Sequence, residues 1–144
     1  MSEKVTRMPR MKVPFRRILL LWALLLFFSG LILLSVYLKD VATYQKAVKD
    51  TVFSGVEIAG VPDGTYIGEY DVNFIYAKVE VTVRDGAITN INILEHKNER
   101  GKSAEIVTDR IIKEQKIDVD AVSGATNSST VIKKAVENAL QGET

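Results

Sequence analysis

The residues with the clearest chemical potential are Asp120-Ala121-Val122-Ser123-Gly124-Ala125-Thr126, continued by Asn127-Ser128-Ser129 and an apolar-periodic run from Val131 to Leu140. Small turn-forming residues here lead to a hydroxyl at the entrance of a helix, where backbone N–H groups and the helix dipole accept a phosphate. The stretch reads as a phosphate site with a nucleophile-type side chain inside it. An ordinary N-cap and its turn draw on the same residue types. Hydrolysis has little support, because a Ser or Thr nucleophile needs a base in reach and an orienting partner. His96 is the only histidine, far upstream, and Asp118 and Asp120 are more simply turn and capping acids. One histidine and no cysteine also exclude a zinc site built of several imidazoles or thiolates, and disulfides.

As a whole string, Asp-x-x-Ser-Gly-Ala-Thr resembles the flavinylation motif of FMN-binding domains, the family that includes small subunits of sodium-pumping NADH:quinone reductase and related electron-transfer complexes. The resemblance implies that a flavin transferase joins the FMN phosphate to Thr126 through a phosphoester bond. Asp120 would be read by that transferase. Ser123, Gly124 and Ala125 would form an uncrowded turn, Gly124 because a Cβ there would obstruct the turn and the phosphate. Backbone N–H groups of Asn127 to Ser129, with the hydroxyls of Ser128 and Ser129, would then hold the phosphate. Asp63-Gly64-Thr65-Tyr66-Ile67-Gly68 resembles the opening strand of the same family. The charged stretch from Glu95 to Lys102 resembles its His-Lys-rich loop near the flavin. That places His96 and Lys97 at the cofactor and makes Lys97, Arg100 and Lys102 suitable cations for the anionic reduced ring. Tyr66, Tyr70, Phe74 and Tyr76 are candidates to flank the ring.

The elements that must position this site follow from periodicity. Thr65 to Tyr70 is β-branched and aromatic, with Gly68 where a flat group or a neighbouring backbone comes close. Ala77 to Val83 alternates, with Val79, Val81 and Val83 on one face. Beyond Arg84-Asp85-Gly86, Ala87, Ile91 and Ile93 share a face. A two-residue loop pairs odd positions with even ones and exposes Ile91. A three-residue loop, with Arg84 and Asp85 in a type I turn and Gly86 at positive φ, instead sets Val83 opposite Ala87 and Val79 opposite Ile91. Ser103 suits the N-cap of a helix carrying Ala104, Val107 and Ile111, ending near Gln115 or Lys116. The last helix has a continuous apolar stripe and Gly142 to stop it. The expected fold is α+β, a small antiparallel sheet covered by two helices and preceded by one N-terminal transmembrane helix.

That helix is Ile18 to Leu38, a charge-free run about 31 Å long at 1.5 Å per residue, enough to cross a bilayer. Lys4, Arg7, Arg10, Lys12, Arg16 and Arg17 precede it against the single acid Glu3, so the positive-inside rule leaves the N-terminus in the cytoplasm. A cleavable signal peptide would have a shorter apolar core and a small-residue cleavage site. The basic tail serves topology here rather than nucleic-acid binding, and a net charge of +1 points to no polyanionic partner. Val41, Tyr44 and Val48 fit a short amphipathic helix over 41–52, and the glycines with Pro62 between Ser54 and Gly64 mark a boundary near residue 60. The expected organisation is a basic tail at 1–17, a signal anchor at 18–38, a stalk and linker at 39–60, and the FMN-binding domain at 61–141.

Together these readings describe an extracytoplasmic electron carrier held in the cytoplasmic membrane, with FMN on Thr126 and no substrate site of its own. Its expected partners are the transferase, the lipid bilayer, a membrane donor such as a quinol or dehydrogenase, and an acceptor outside. The alternative is a non-redox binding or accessory module that holds an anionic ligand without a covalent bond at 123–129.

Overall fold

The computed structural model describes residues 14–97 and 102–142. The tail cations Lys4, Arg7, Arg10 and Lys12, together with Arg100 and Gly101 of the charged loop, lie outside the described residues.

Helix α1 spans Phe15–Lys49. Its first part is long and apolar enough to cross a membrane. The hydroxyls of Ser29 and Ser35 donate to the carbonyls of Leu26 and Leu31 at 2.8 Å, so both are satisfied within the helix. The separate short helix expected over 41–52 is instead the last turns of α1. Nothing between Leu38 and Lys49 breaks a helix, since that stretch holds neither Gly nor Pro. Its end comes where the Thr51 hydroxyl donates back to the Ala47 carbonyl at 2.9 Å. The chain divides into two compact units, 1–39 and 40–144. In the second, Val48 is buried, and Tyr44, Ala47, Phe53 and Val56 pack against the core. The segment expected as stalk and linker therefore contributes to the core of the unit that carries the motif.

Strands β1 (Gly64–Asp71), β2 (Tyr76–Arg84) and β3 (Ala87–Lys97) form an antiparallel meander in the order β1-β2-β3. The alternation in β2 is borne out: Ala77, Val79, Val81 and Val83 are fully buried, while Lys78, Glu80 and Thr82 lie on the other, partly solvated face. The hairpin register differs from expectation. Arg84 pairs with Ala87, so the loop is only Asp85-Gly86, with φ of 53° and 71°. Positive φ at both central residues makes a type I′ turn, whose twist matches the strands. Gly86 has the positive φ expected of it, but the parity is corrected in the strand. Val83 pairs with Ile88 and Thr82 with Asn90, leaving Thr89 as a bulge. Ile88 and Ile91 thereby both face the core, and Val81, not Val79, lies opposite Ile91.

The core face of the sheet is covered by α3 (Thr126–Gln141) and by a 3-10 segment (Lys102–Ile106) that leads into α2 (Val107–Glu114). Ser103 lies inside the 3-10 segment instead of capping a helix, and Ile106 precedes α2 without a side-chain cap. The apolar stripe itself holds, with Ala104, Val107 and Ile111 fully buried. Gln115 ends α2 in the left-handed region, and its amide both accepts from Ile88 N and donates to Ile88 O at 2.8 Å. The side chain thus supplies β3 with the hydrogen bonds of an absent neighbouring strand. At Gly68 the neighbouring backbone is α3: an added Cβ would collide with Ala139 N and Ala135 O.

Candidate functional site

The motif loop runs from the end of α2 to the first turn of α3, and three side chains hold its backbone. Arg110 donates through Nη1 to Asp120 O at 2.8 Å. Lys133, buried on α3, donates through Nζ to Val119 O at 2.9 Å and to Asp118 Oδ1 at 2.8 Å. The Lys133 ammonium, hydrogen-bonded to the Asp118 carboxylate, holds that group below its usual pKa range against the opposing effect of desolvation. Ser129 accepts from Val122 N at 3.0 Å and donates to Ala125 O at 2.9 Å. Its own N–H also goes to Ala125 O. Ser129, expected to offer the phosphate a donor, is therefore committed to shaping the turn.

Within that turn Gly124 has φ 77° and nothing within 4 Å of where a Cβ would stand. Its glycine answers the backbone conformation that the turn requires. Ala125 is the N-cap and forms no side-chain cap bond. Thr126 opens α3 and is exposed, while Asn127 is half-buried and Ser128 buried. The amides of Thr126, Asn127 and Ser128 are the first three of the helix, for which α-helical geometry supplies no acceptor. They converge at the positive end of the helix dipole beside the Thr126 hydroxyl, the arrangement that takes a phosphate. Asp120 is exposed, with its backbone carbonyl held by Arg110.

A cleft of about 610 Å³ opens beside Thr126. Thr126, Asn127 and Thr130 line it from α3, and Gln45, Val48, Lys49, Thr51 and Phe53 line it from the chain before the sheet. Among the described residues Lys49 is the one charged side chain in that lining. The residues expected around the ring have contacts of their own. The His96 side chain is 3% exposed and its Nδ1 stands 3.1 Å from Glu105 Oε1. Lys97 Nζ donates to Asn73 O at 3.3 Å. Tyr66 donates to Pro62 O at 2.7 Å, Tyr76 to Glu69 Oε2 at 2.8 Å, and Phe74 packs on Tyr44 with ring centroids 5.0 Å apart. Tyr70 OH lies 3.2 Å from Thr51 Oγ1. None of these six side chains is among those lining the cleft.

Residues 76–141 match a family model described as the FMN-binding domain. This segment is an FMN-binding domain. Its cofactor is FMN. Comparisons with curated proteins and with solved structures found no match. The FMN-binding domain's geometry suits that group. The three helix-terminal amides provide for its phosphate, and the cleft volume falls within the roughly 300–1,000 Å³ of small-ligand sites. Val48 and Phe53 offer apolar surface, and Gln45, Asn127 and Thr130 offer hydrogen-bonding edges.

Sequence reasoning missed Phe53, Lys49, Lys133 and Glu137. For the last two a signal existed: Ser129, Lys133 and Glu137 are four apart and share a line along a helix that is otherwise apolar on that side. Glu137 is fully buried and accepts from the amides of Ser54 at 2.7 Å and Gly55 at 3.1 Å.

Proposed function

We propose that this chain is a membrane-anchored, extracytoplasmic electron-transfer protein carrying FMN as a phosphoester on Thr126. The observation that carries the reading is the exposed Thr126 hydroxyl at the start of α3, beside three amides without helical acceptors and at the mouth of the cleft. Exposure matters because attachment requires another enzyme's active site to reach Oγ. The positive-φ turn at Gly124 keeps the approach open. In the net reaction the Oγ–P bond forms as the P–O bond between the flavin phosphate and the nucleotide leaving group of an activated flavin dinucleotide donor breaks, the Oγ proton leaving with that group, so the protein gains one FMN less one water. Asp120, exposed six residues before Thr126, is available to the transferase and stands apart from the phosphate.

Bound FMN supplies one- and two-electron chemistry. The chain's residues retain and orient it: the amides of residues 126–128 neutralise the phosphate, and Arg110, Lys133 and Ser129 fix the loop that presents Thr126. A tether suits a domain outside the cell, where dissociated flavin is not recovered. The apolar part of α1 supports anchoring, and the cations before it support a cytoplasmic N-terminus. Electrons would arrive from a quinol or dehydrogenase in the membrane and leave to an acceptor outside.

The test is the intact mass of the full-length protein co-expressed with a flavin transferase, beside Thr126→Ala. A gain of one FMN less one water in the wild type, absent from the variant, supports the assignment. An unmodified wild type, with the transferase active on a control substrate, refutes it and favours a module that binds an anionic ligand without a covalent bond.

A further inference from the structure

We infer that the segment before the family domain forms one wall of the flavin site, with Phe53 as a ring contact and Lys49 as the cation that tunes the ring. This rests on the assignment of FMN to Thr126. Five of the eight side chains lining the cleft beside Thr126 come from residues 45–53, outside the matched segment 76–141. A phosphate fixed at the start of α3 leaves the ring to lie in that cleft.

The wall is held from below by contacts that cost too much to be incidental. A buried carboxylate requires partners for its charge, and Glu137, fully buried, finds them in Ser54 N, Gly55 N and Lys134 Nζ at 2.6 Å. Lys134 Nζ also donates to Val52 O at 3.3 Å. On the N-terminal side Thr51 Oγ1 lies 3.2 Å from Tyr70 OH and donates to Ala47 O. Phe53, between these fastenings, has Lys133 Nζ 4.7 Å from its ring centroid. The polar contacts fix Val52, Ser54 and Gly55 on α3 and Thr51 on β1, and leave a half-buried aromatic side chain in the lining of the cleft. An aromatic side chain in that position stacks on a flat heterocycle. Lys49 is exposed and is the only charge among the described residues of the lining, so it opposes the negative charge that the ring takes up on reduction and raises the midpoint potential.

The experiment uses full-length protein loaded by co-expressed transferase, as wild type, Phe53→Leu, Phe53→Ala and Lys49→Gln. Intact mass is read first, then flavin emission and midpoint potential. All four are expected to carry the same mass gain, since attachment needs only the Thr126 loop. Phe53→Ala should raise flavin emission several-fold as the quenching aromatic is lost, and Phe53→Leu, which keeps an apolar side chain there, should raise it as well. Lys49→Gln should lower the midpoint potential without changing emission. Loaded variants with the emission and potential of the wild type overturn this inference and leave the Thr126 assignment standing. A wild type without the mass gain overturns the assignment itself.

Discussion

Gly68→Ala measures how closely α3 lies on the sheet, and so how firmly the helix bearing Thr126 is seated. A Cβ at Gly68 would stand 2.6 Å from Ala139 Cα and closer still to Ala139 N and Ala135 O. These are backbone atoms inside a helix, so no side chain can rotate out of the way. Restoring ordinary contact at about 3.5 Å from Ala139 Cα alone moves the helix by roughly 0.9 Å, and the two closer atoms make that a lower bound. A gap of that size forfeits a quarter to a half of the dispersion energy of the neighbouring contacts. Overpacking of this kind costs about 1–3 kcal/mol, and the absence of any yielding atom puts Gly68 at the upper end. The lost backbone freedom of unfolded Gly returns roughly 0.4–1 kcal/mol, which leaves about 2 kcal/mol net. For a unit of this size that is a fall in Tm of roughly 8–15 °C, read by near-UV circular dichroism of the full chain in detergent. Gly124→Ala is the contrast: its Cβ meets nothing, and only the positive φ is penalised, by about 1–2 kcal/mol. A Gly68→Ala protein that melts with the wild type would refute the close approach of α3 to β1.

Three further outcomes follow from the side chains of the site and its surroundings. Ser129→Ala leaves the Val122 amide without its acceptor and should cost about 1–3 kcal/mol in urea unfolding, together with slower FMN attachment as the loop loosens. Glu137→Ala strips two amides and Lys134 of their partner; removing one member of a buried ionic pair costs about 3–5 kcal/mol, and faster proteolysis should appear first at 52–56. Stability should fall at both ends of the pH scale. Asp118, beside Lys133, and Glu69, hydrogen-bonded to Tyr76, have lowered pKa values. The folded state therefore binds fewer protons than the unfolded one, and the stability these groups contribute at neutral pH is lost as pH falls through their folded values. Tyr76 is raised to about 12 by its hydrogen bond to Glu69, so its contribution is complete below pH 10 and is lost as pH climbs towards 12. Tyr76→Phe should flatten the alkaline limb and Asp118→Asn part of the acid limb in pH-dependent urea titrations.

What could be read from the chain alone was local. The β2 alternation, the apolar stripes of α2 and α3, Gly86 at positive φ, Gly142 as the stop of α3, and the motif before α3 all depend on neighbours within a few residues. The hairpin register was harder because parity can be restored in the loop or in the strand, and only the strand solution also brings Ile88 onto the core face. The Asp-Gly pair favours the two-residue type I′ turn, and that local preference prevails, displacing the irregularity to Thr89. His96 and Lys97 were placed near the flavin by resemblance alone, and the structure gives them other partners in Glu105 and Asn73. The wall at 45–53 was not legible, because what makes it a wall is a contact to Glu137, more than eighty positions along the chain.

The line Ser129, Lys133 and Glu137 explains how one helix can build a site from distant pieces. At four-residue intervals these side chains point the same way, and each reaches a different segment: the turn at 122–125, the approach at 118–119, and the wall at 54–55. Their apolar neighbours Val131, Ile132, Ala135, Val136 and Ala139 hold the same helix on the sheet. Polar groups this deeply buried add little net stability over an apolar core, and they act only on the partners they are aimed at. Replacing one of them should therefore relax one part of the surroundings of Thr126 and leave the others in place.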